Sequence, residues 1–90
     1  MRRIRLHRRA QAYMRKMPPK RRQQMADALK EIADLPDVST HPHSKALSGS
    51  HKGGYRLRVG TYRAIFWLEK TEGDEDELYV DYVGPRGDAY

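Results

Sequence analysis

Tyr55-Arg56-Leu57-Arg58-Val59-Gly60-Thr61-Tyr62-Arg63-Ala64-Ile65-Phe66-Trp67-Leu68 is the stretch whose periodicity decides the fold. Tyr55, Leu57 and Val59, then Tyr62, Ala64, Phe66 and Leu68, recur at every second position, which is the spacing of a strand with one buried face. Gly60-Thr61 separates the two runs. A glycine at the first turn position suits a two-residue type II′ hairpin. In that register Val59 stands opposite Tyr62 and Arg58 opposite Arg63, with Arg56 beside them, so the guanidinium groups share the face turned away from the apolar side chains.

Upstream the period lengthens. Between Arg8 and Lys16, Ala10, Tyr13 and Met14, followed by Met17, recur at helical spacing until Pro18-Pro19 interrupts them. Pro19 suits the first turn of a second helix, in which Met25, Ala26, Ala28, Leu29, Ile32 and Ala33 form an apolar stripe that ends before Pro36. Arg2 to Leu6 alternates crudely and predicts a short edge strand. Pro36 to Gly54, rich in Pro, Ser, His and Gly, reads as a loop or a short irregular strand. Glu72 to Glu77 is an acidic turn, and Leu78 to Val83 a last strand. Gly84 to Tyr90 reads as a tail that cannot continue it. The expected architecture is a single α+β domain over residues 1–90, a helical hairpin packed on one face of a small antiparallel sheet of about four strands.

Ninety residues suffice for one core. The chain has no cysteine, so its stability must come from packing, which fits a reducing compartment. No apolar run follows Met1, and the expectation is a cytoplasmic protein with neither signal peptide nor membrane span. The net charge of +6 is uneven: Met1 to Gly54 holds thirteen Lys or Arg against four acids, and Tyr55 to Tyr90 five against eight. A basic balance of this kind fits an acidic partner, nucleic acid or protein, and equally fits a surface charged for solubility.

The arginines are the chemically informative residues. Like charges directly opposite each other weaken a strand pair, so the face bearing Arg56, Arg58 and Arg63 either meets solvent or receives an anion. Arginine suits phosphate because its planar fork donates two hydrogen bonds to one group and stays charged at physiological pH. Ile65 and Trp67 share the parity of the arginines. That sets an aromatic surface beside a cationic one, as binding of single-stranded nucleic acid requires, unless the chain's own tail covers Trp67.

The segment from Lys45-Ala46-Leu47-Ser48-Gly49 through Gly54-Tyr55-Arg56-Leu57-Arg58-Val59-Gly60 to Tyr62-Arg63-Ala64-Ile65-Phe66 resembles the sheet segment of RelE-type toxins from toxin-antitoxin pairs. Met17-Pro18, Leu35-Pro36 and Val83-Gly84 running into an arginine and a terminal tyrosine are similar to the same family. The resemblance implies a RelE-like microbial RNase fold and a ribosome-dependent endoribonuclease that cuts messenger RNA in the decoding site. It also implies silencing by a cognate antitoxin, no cofactor and no metal. By the same resemblance Arg56 and Arg58 hold or polarise RNA, Arg63 stabilises the phosphate in the transition state, and Arg86 and Tyr90 belong to a C-terminal catalytic motif, with Tyr90 the candidate base. Pro85 stands where many relatives carry a histidine. The competing readings are a ParE-like toxin that binds DNA gyrase and a non-catalytic RNA-binding module.

Other residues are weaker candidates. His51 and Lys52, in the loop before the hairpin, lie within reach of RNA on the arginine face, although His51 also reads as an ordinary loop residue. Lys20, Arg21 and Arg22, with Arg15 and Lys16, form a cationic helical region, either a docking surface for ribosomal RNA or an acidic antitoxin segment, or the solvated face of an amphipathic pair. His41-Pro42-His43 has no obvious third ligand and reads as solvent-facing loop rather than a metal site.

Overall fold

Pro18 and Pro36 punctuate the N-terminal half as expected. In the computed structural model, which describes residues 2–70, 72 and 76–85, strand β1 (Ile4–Leu6) leads into helices α1 (Arg8–Lys16) and α2 (Pro19–Ala33). His7 caps α1, its Nδ1 accepting the Arg9 N–H at 3.0 Å. Met17 then turns extended (φ −70°, ψ 149°), the conformation a residue before proline prefers, and Pro19 opens α2 where its missing N–H costs nothing. Strands β2 (Ser44–Ala46), β3 (Gly54–Val59), β4 (Tyr62–Glu69) and β5 (Glu77–Pro85) follow, with single 3-10 turns at Val38–Thr40 and Gly49–His51. Asp37 caps the first of these turns. Its carboxylate accepts hydrogen bonds from the Ser39 hydroxyl and N–H, which hold the Asp37 carboxyl below the usual carboxylate range.

The sheet has five strands in the order β1-β5-β4-β3-β2, not about four, and it is mixed rather than antiparallel. Strands β2 to β5 form an antiparallel meander, while β1 pairs in parallel with β5, Ile4 opposite Leu78 and Leu6 opposite Val80. Turn-connected strands must run antiparallel; β1 is joined to β5 only through the rest of the chain and is free of that constraint. The strand on the other edge, β2, comes from the stretch read as a loop or a short irregular strand, and Lys45 in it pairs with Arg56.

Both helices cover one face. Met25, Ile32, Leu57, Phe66, Leu78 and Val80 are fully buried there, in one cluster with Ala10, Met17, Ala28, Leu29, Val38, Ala64 and Val83. Tyr55, Val59, Tyr62 and Leu68 are half-buried against it, so every residue assigned to the inner face of the hairpin is on it. Among the described residues, no helix is long and apolar enough to cross a membrane.

Strand β5 departs from the sequence reading twice. It runs through Gly84 and Pro85, which pair with Arg63 and Tyr62; the proline occupies the final position, where a missing donor is tolerated. It also bulges: Phe66 pairs with Val80 but Ile65 with Tyr82, leaving Asp81 as the extra residue. The bulge explains why Leu78, Val80 and Val83 all reach the core, and it turns Tyr82 and Gly84 onto the arginine face.

Candidate nucleic-acid interface

The turn that sets the site behaves as its sequence requires. Gly60 has φ +58° and Thr61 does not have positive φ, as in a type II′ turn. Arg58 therefore stands opposite Arg63 and Val59 opposite Tyr62. Across the next row Lys45 faces Arg56. Two like-charged pairs thus occupy neighbouring rows of the sheet, one on each of the two ladders that share β3, each unfavourable on its own account.

The side chains of this face differ in their exposure. Arg58 is exposed, but Arg56 and Arg63 are half-buried, and Ile65, between them in the ladder, is 1 % exposed. The Arg63 Nε is buried with no hydrogen-bond partner among the described residues. No acid among those residues pairs with Arg58 or Arg63. The acids of this face, Glu69 and Glu77, sit at the far end of the strands, where Arg5 takes both: its Nε reaches Glu77 at 2.6 Å and its NH2 reaches Glu69 at 3.4 Å. The bond to Glu77 raises the Arg5 pKa above its ordinary value. The sheet face is therefore cationic at the hairpin end and neutralised at the other.

Arg21 joins the cationic end from the helix side. Its guanidinium lies against the turn, so that a β-carbon on Gly60 would stand 2.8 Å from Cζ, and its NH1 donates to Gln24 Oε1 at 2.9 Å. Arg21, Gln24, Glu31, His41 and Gly60 contribute to an open cleft of about 530 Å³ between α2 and the hairpin end. Gly60→Ala is expected to cost about 1–2 kcal/mol from the left-handed backbone alone and to displace Arg21; thermal unfolding with salt-dependent RNA binding measures both effects.

The remaining candidates are dispersed. Lys20 is exposed on the first turn of α2, and Arg22 reaches back to the Arg15 carbonyl at 3.5 Å, on the helical side of the sheet. His51 and Lys52 lie at the opposite end of β3 from Arg58, in the turn preceding Gly54. Arg86 and Tyr90 lie outside the described residues. His41 corrects an expectation: it is buried, not solvent-facing. Its Nε2 meets Glu31 Oε1 at 3.0 Å and its Nδ1 accepts the His43 N–H at 3.2 Å, so it pins the loop to α2. His43 is exposed, and among the described residues no group of three His, Cys, Asp or Glu side chains is placed to hold a metal.

Sequence reasoning missed Lys45, Tyr82 and Gly84. Lys45 belongs to a strand too short to show a period. The step of three between Val80 and Val83 was the available signal for the bulge that presents Tyr82.

A small α+β domain with a helical layer on one face of its sheet and an arginine ladder on the other is the class that fold and site define. No family model and no curated protein matches the chain, but solved structures share its fold. They include the archaeal RelE of a RelE-RelB complex from Pyrococcus horikoshii (TM-score 0.74, 19 % identity, 98 % of each chain covered). The YoeB/ParE toxin from Agrobacterium tumefaciens superposes with TM-score 0.77 at 12 % identity, over 93 % of this chain and 98 % of its own. YafQ from E. coli does so at 0.60 and 16 %, over 94 % and 93 %. At identities of 12 to 19 %, what the chain shares with these structures is the fold.

Proposed function

We propose that the chain is the toxin of a toxin-antitoxin pair and acts as a ribosome-dependent endoribonuclease on messenger RNA. The observation that carries this reading is the Arg58–Arg63 rung: two guanidinium groups directly opposed, without acidic partners among the described residues, one with a buried and unpartnered Nε. Fixed donors of this kind suit the charge that develops when a ribose 2′-hydroxyl attacks the adjacent phosphate. In that step the 2′-O–P bond forms, the bond to the 5′-oxygen breaks, and the products are a 2′,3′-cyclic phosphate and a 5′-hydroxyl. The proton leaves the 2′-hydroxyl and one must reach the departing oxygen.

Arginine does not titrate near neutrality, so Arg58, Arg63 and Arg86 are assigned to charge stabilisation and Arg56 to holding the strand. Tyr90 is the group assigned to proton transfer. Lys20, Arg21 and Arg22 offer a second basic region for ribosomal RNA or for an acidic segment of the antitoxin, a partner supported by the toxin-antitoxin complex among the similar structures.

The test is expression in a translating extract with mapping of messenger 5′ ends. New ends confined to ribosome-bound messenger are expected. Intact messenger with failing DNA supercoiling would assign the chain to the gyrase-binding mode instead, and intact messenger with normal supercoiling would leave a binding module.

A further inference from the structure

The row of Arg58 and Arg63 does not stop at β3. Ser44 pairs with Leu57 at the start of β2, and one position earlier the Arg58 N–H donates to the His43 carbonyl at 3.1 Å, which continues the ladder by a rung. His43 thus stands on one side of Arg58 and Arg63 on the other, and the row from His43 to Arg63 spans about 10 Å, two strand spacings. The turn that carries His43 is held from α2. Glu31 Oε1 meets His41 Nε2 at 3.0 Å, and His41 Nδ1 accepts the His43 N–H at 3.2 Å. The bonds to Arg58 and His41 both engage the main chain of His43. Its side chain is exposed, at the open cleft that Arg58 and Gly60 also line.

We infer that His43 is the base that takes the 2′-hydroxyl proton in the cleavage proposed above; this deepens that reading and rests on it. Arginine and lysine have no proton to exchange near neutrality, whereas histidine is the side chain whose reference pKa, about 6.5, lies there. A base in this row must also be uncharged when it acts. A carboxylate would pair with the arginines, and an ammonium would add a third cation to the Arg58–Arg63 rung. A neutral imidazole does neither. As the 2′-O–P bond forms, a ring nitrogen of His43 accepts the hydroxyl proton. The bond to the 5′-oxygen breaks, and that oxygen receives its proton in the transfer assigned to Tyr90. The imidazolium then releases its proton to water. Arg21, Asp27 and Glu31 line the same cleft from α2, Arg58 from β3 and His41 from the turn itself. Asp27 is bonded to Gln23 and Glu31 to His41, so each of these two acids already has a partner.

The test is the pH dependence of single-turnover messenger cleavage on programmed ribosomes, with the intact protein in excess, between about pH 5.5 and 8.5. For the unaltered chain the rate should rise about tenfold per pH unit at the acid end and level off above the histidine range. His43→Gln should lower the plateau by about 10²-fold or more, the usual contribution of a positioned base, and abolish the acid limb, with ribosome binding unchanged. His7→Asn, which keeps a capping side chain on α1, should retain both limb and plateau. If the unaltered chain cuts the messenger and His43→Gln cuts it with the same rate and profile, the inference falls and the parent reading stands. A flat profile in the unaltered chain overturns it equally, without recourse to any variant that fails to fold. If the unaltered chain leaves the messenger intact at every pH, both fall together.

Discussion

Arg63→Ala is expected to lower the rate of messenger cleavage by about 10²- to 10³-fold, the usual cost of deleting one preorganised donor to a transition-state oxyanion, and to abolish growth arrest on induction. The fold should be unharmed. Arg63 faces away from the helices, and it opposes Arg58, so its removal relieves a like-charge pair and leaves stability neutral or raised by up to about 1 kcal/mol. A residue whose loss is harmless to stability and severe for activity serves a ligand. Arg63→Lys separates charge from geometry, because it keeps the cation and loses the planar fork; an intermediate rate is expected. Cleavage rates in a translating extract beside thermal melts measure both quantities, and undiminished cleavage by Arg63→Ala would remove this arginine from the site.

Phe66→Ala should have the largest effect on stability. Phe66 is fully buried at the centre of the sheet and its ring stacks on Tyr55 at 5.3 Å with 15° between planes. Truncation leaves a cavity between helices and sheet and is expected to cost about 3–5 kcal/mol, a large share of the roughly 5–10 kcal/mol that holds a domain of this size. Phe66→Leu preserves most of the volume and should cost less than about 1.5 kcal/mol. Urea unfolding midpoints at unchanged slope would establish the difference. Loss of activity in Phe66→Ala would then follow the unfolded fraction, whereas in Arg63→Ala it would not.

Asp37 provides a pH-dependent check on the loop that carries His41. Its carboxyl is held below its ordinary value by Ser39, so the folded state binds its proton less readily than the unfolded chain. The stability it contributes is complete at neutral pH and is lost as pH falls below about 4. Asp37→Asn should flatten that part of the acid unfolding profile and leave the profile above pH 5 unchanged.

The hairpin was legible from residues alone because each of its determinants is local. Alternation names the buried face, Gly60 permits the turn, and a two-residue turn leaves one register, so Arg58 opposite Arg63 followed from spacing. The helices were legible for the same reason, since Pro18, Pro19 and Pro36 bound two apolar stripes. What the strands pair with beyond the hairpin was not local. Crude alternation marks β1 as a short edge strand, but its parallel pairing with β5, and the pairing of the three-residue β2 with β3, depend on the partner strands and not on any local period. The bulge at Asp81, which places Tyr82 and Gly84 beside Arg63, arises where β5 must both follow β4 and keep Val83 in the core. His41 likewise reads as a loop residue until α2 brings Glu31 to it. The sequence by itself determined a cationic rung on a two-stranded ribbon. Only the tertiary structure decided that this rung adjoins a buried Ile65 and continues into His43, because those neighbours come from strand pairings that no short-range pattern encodes.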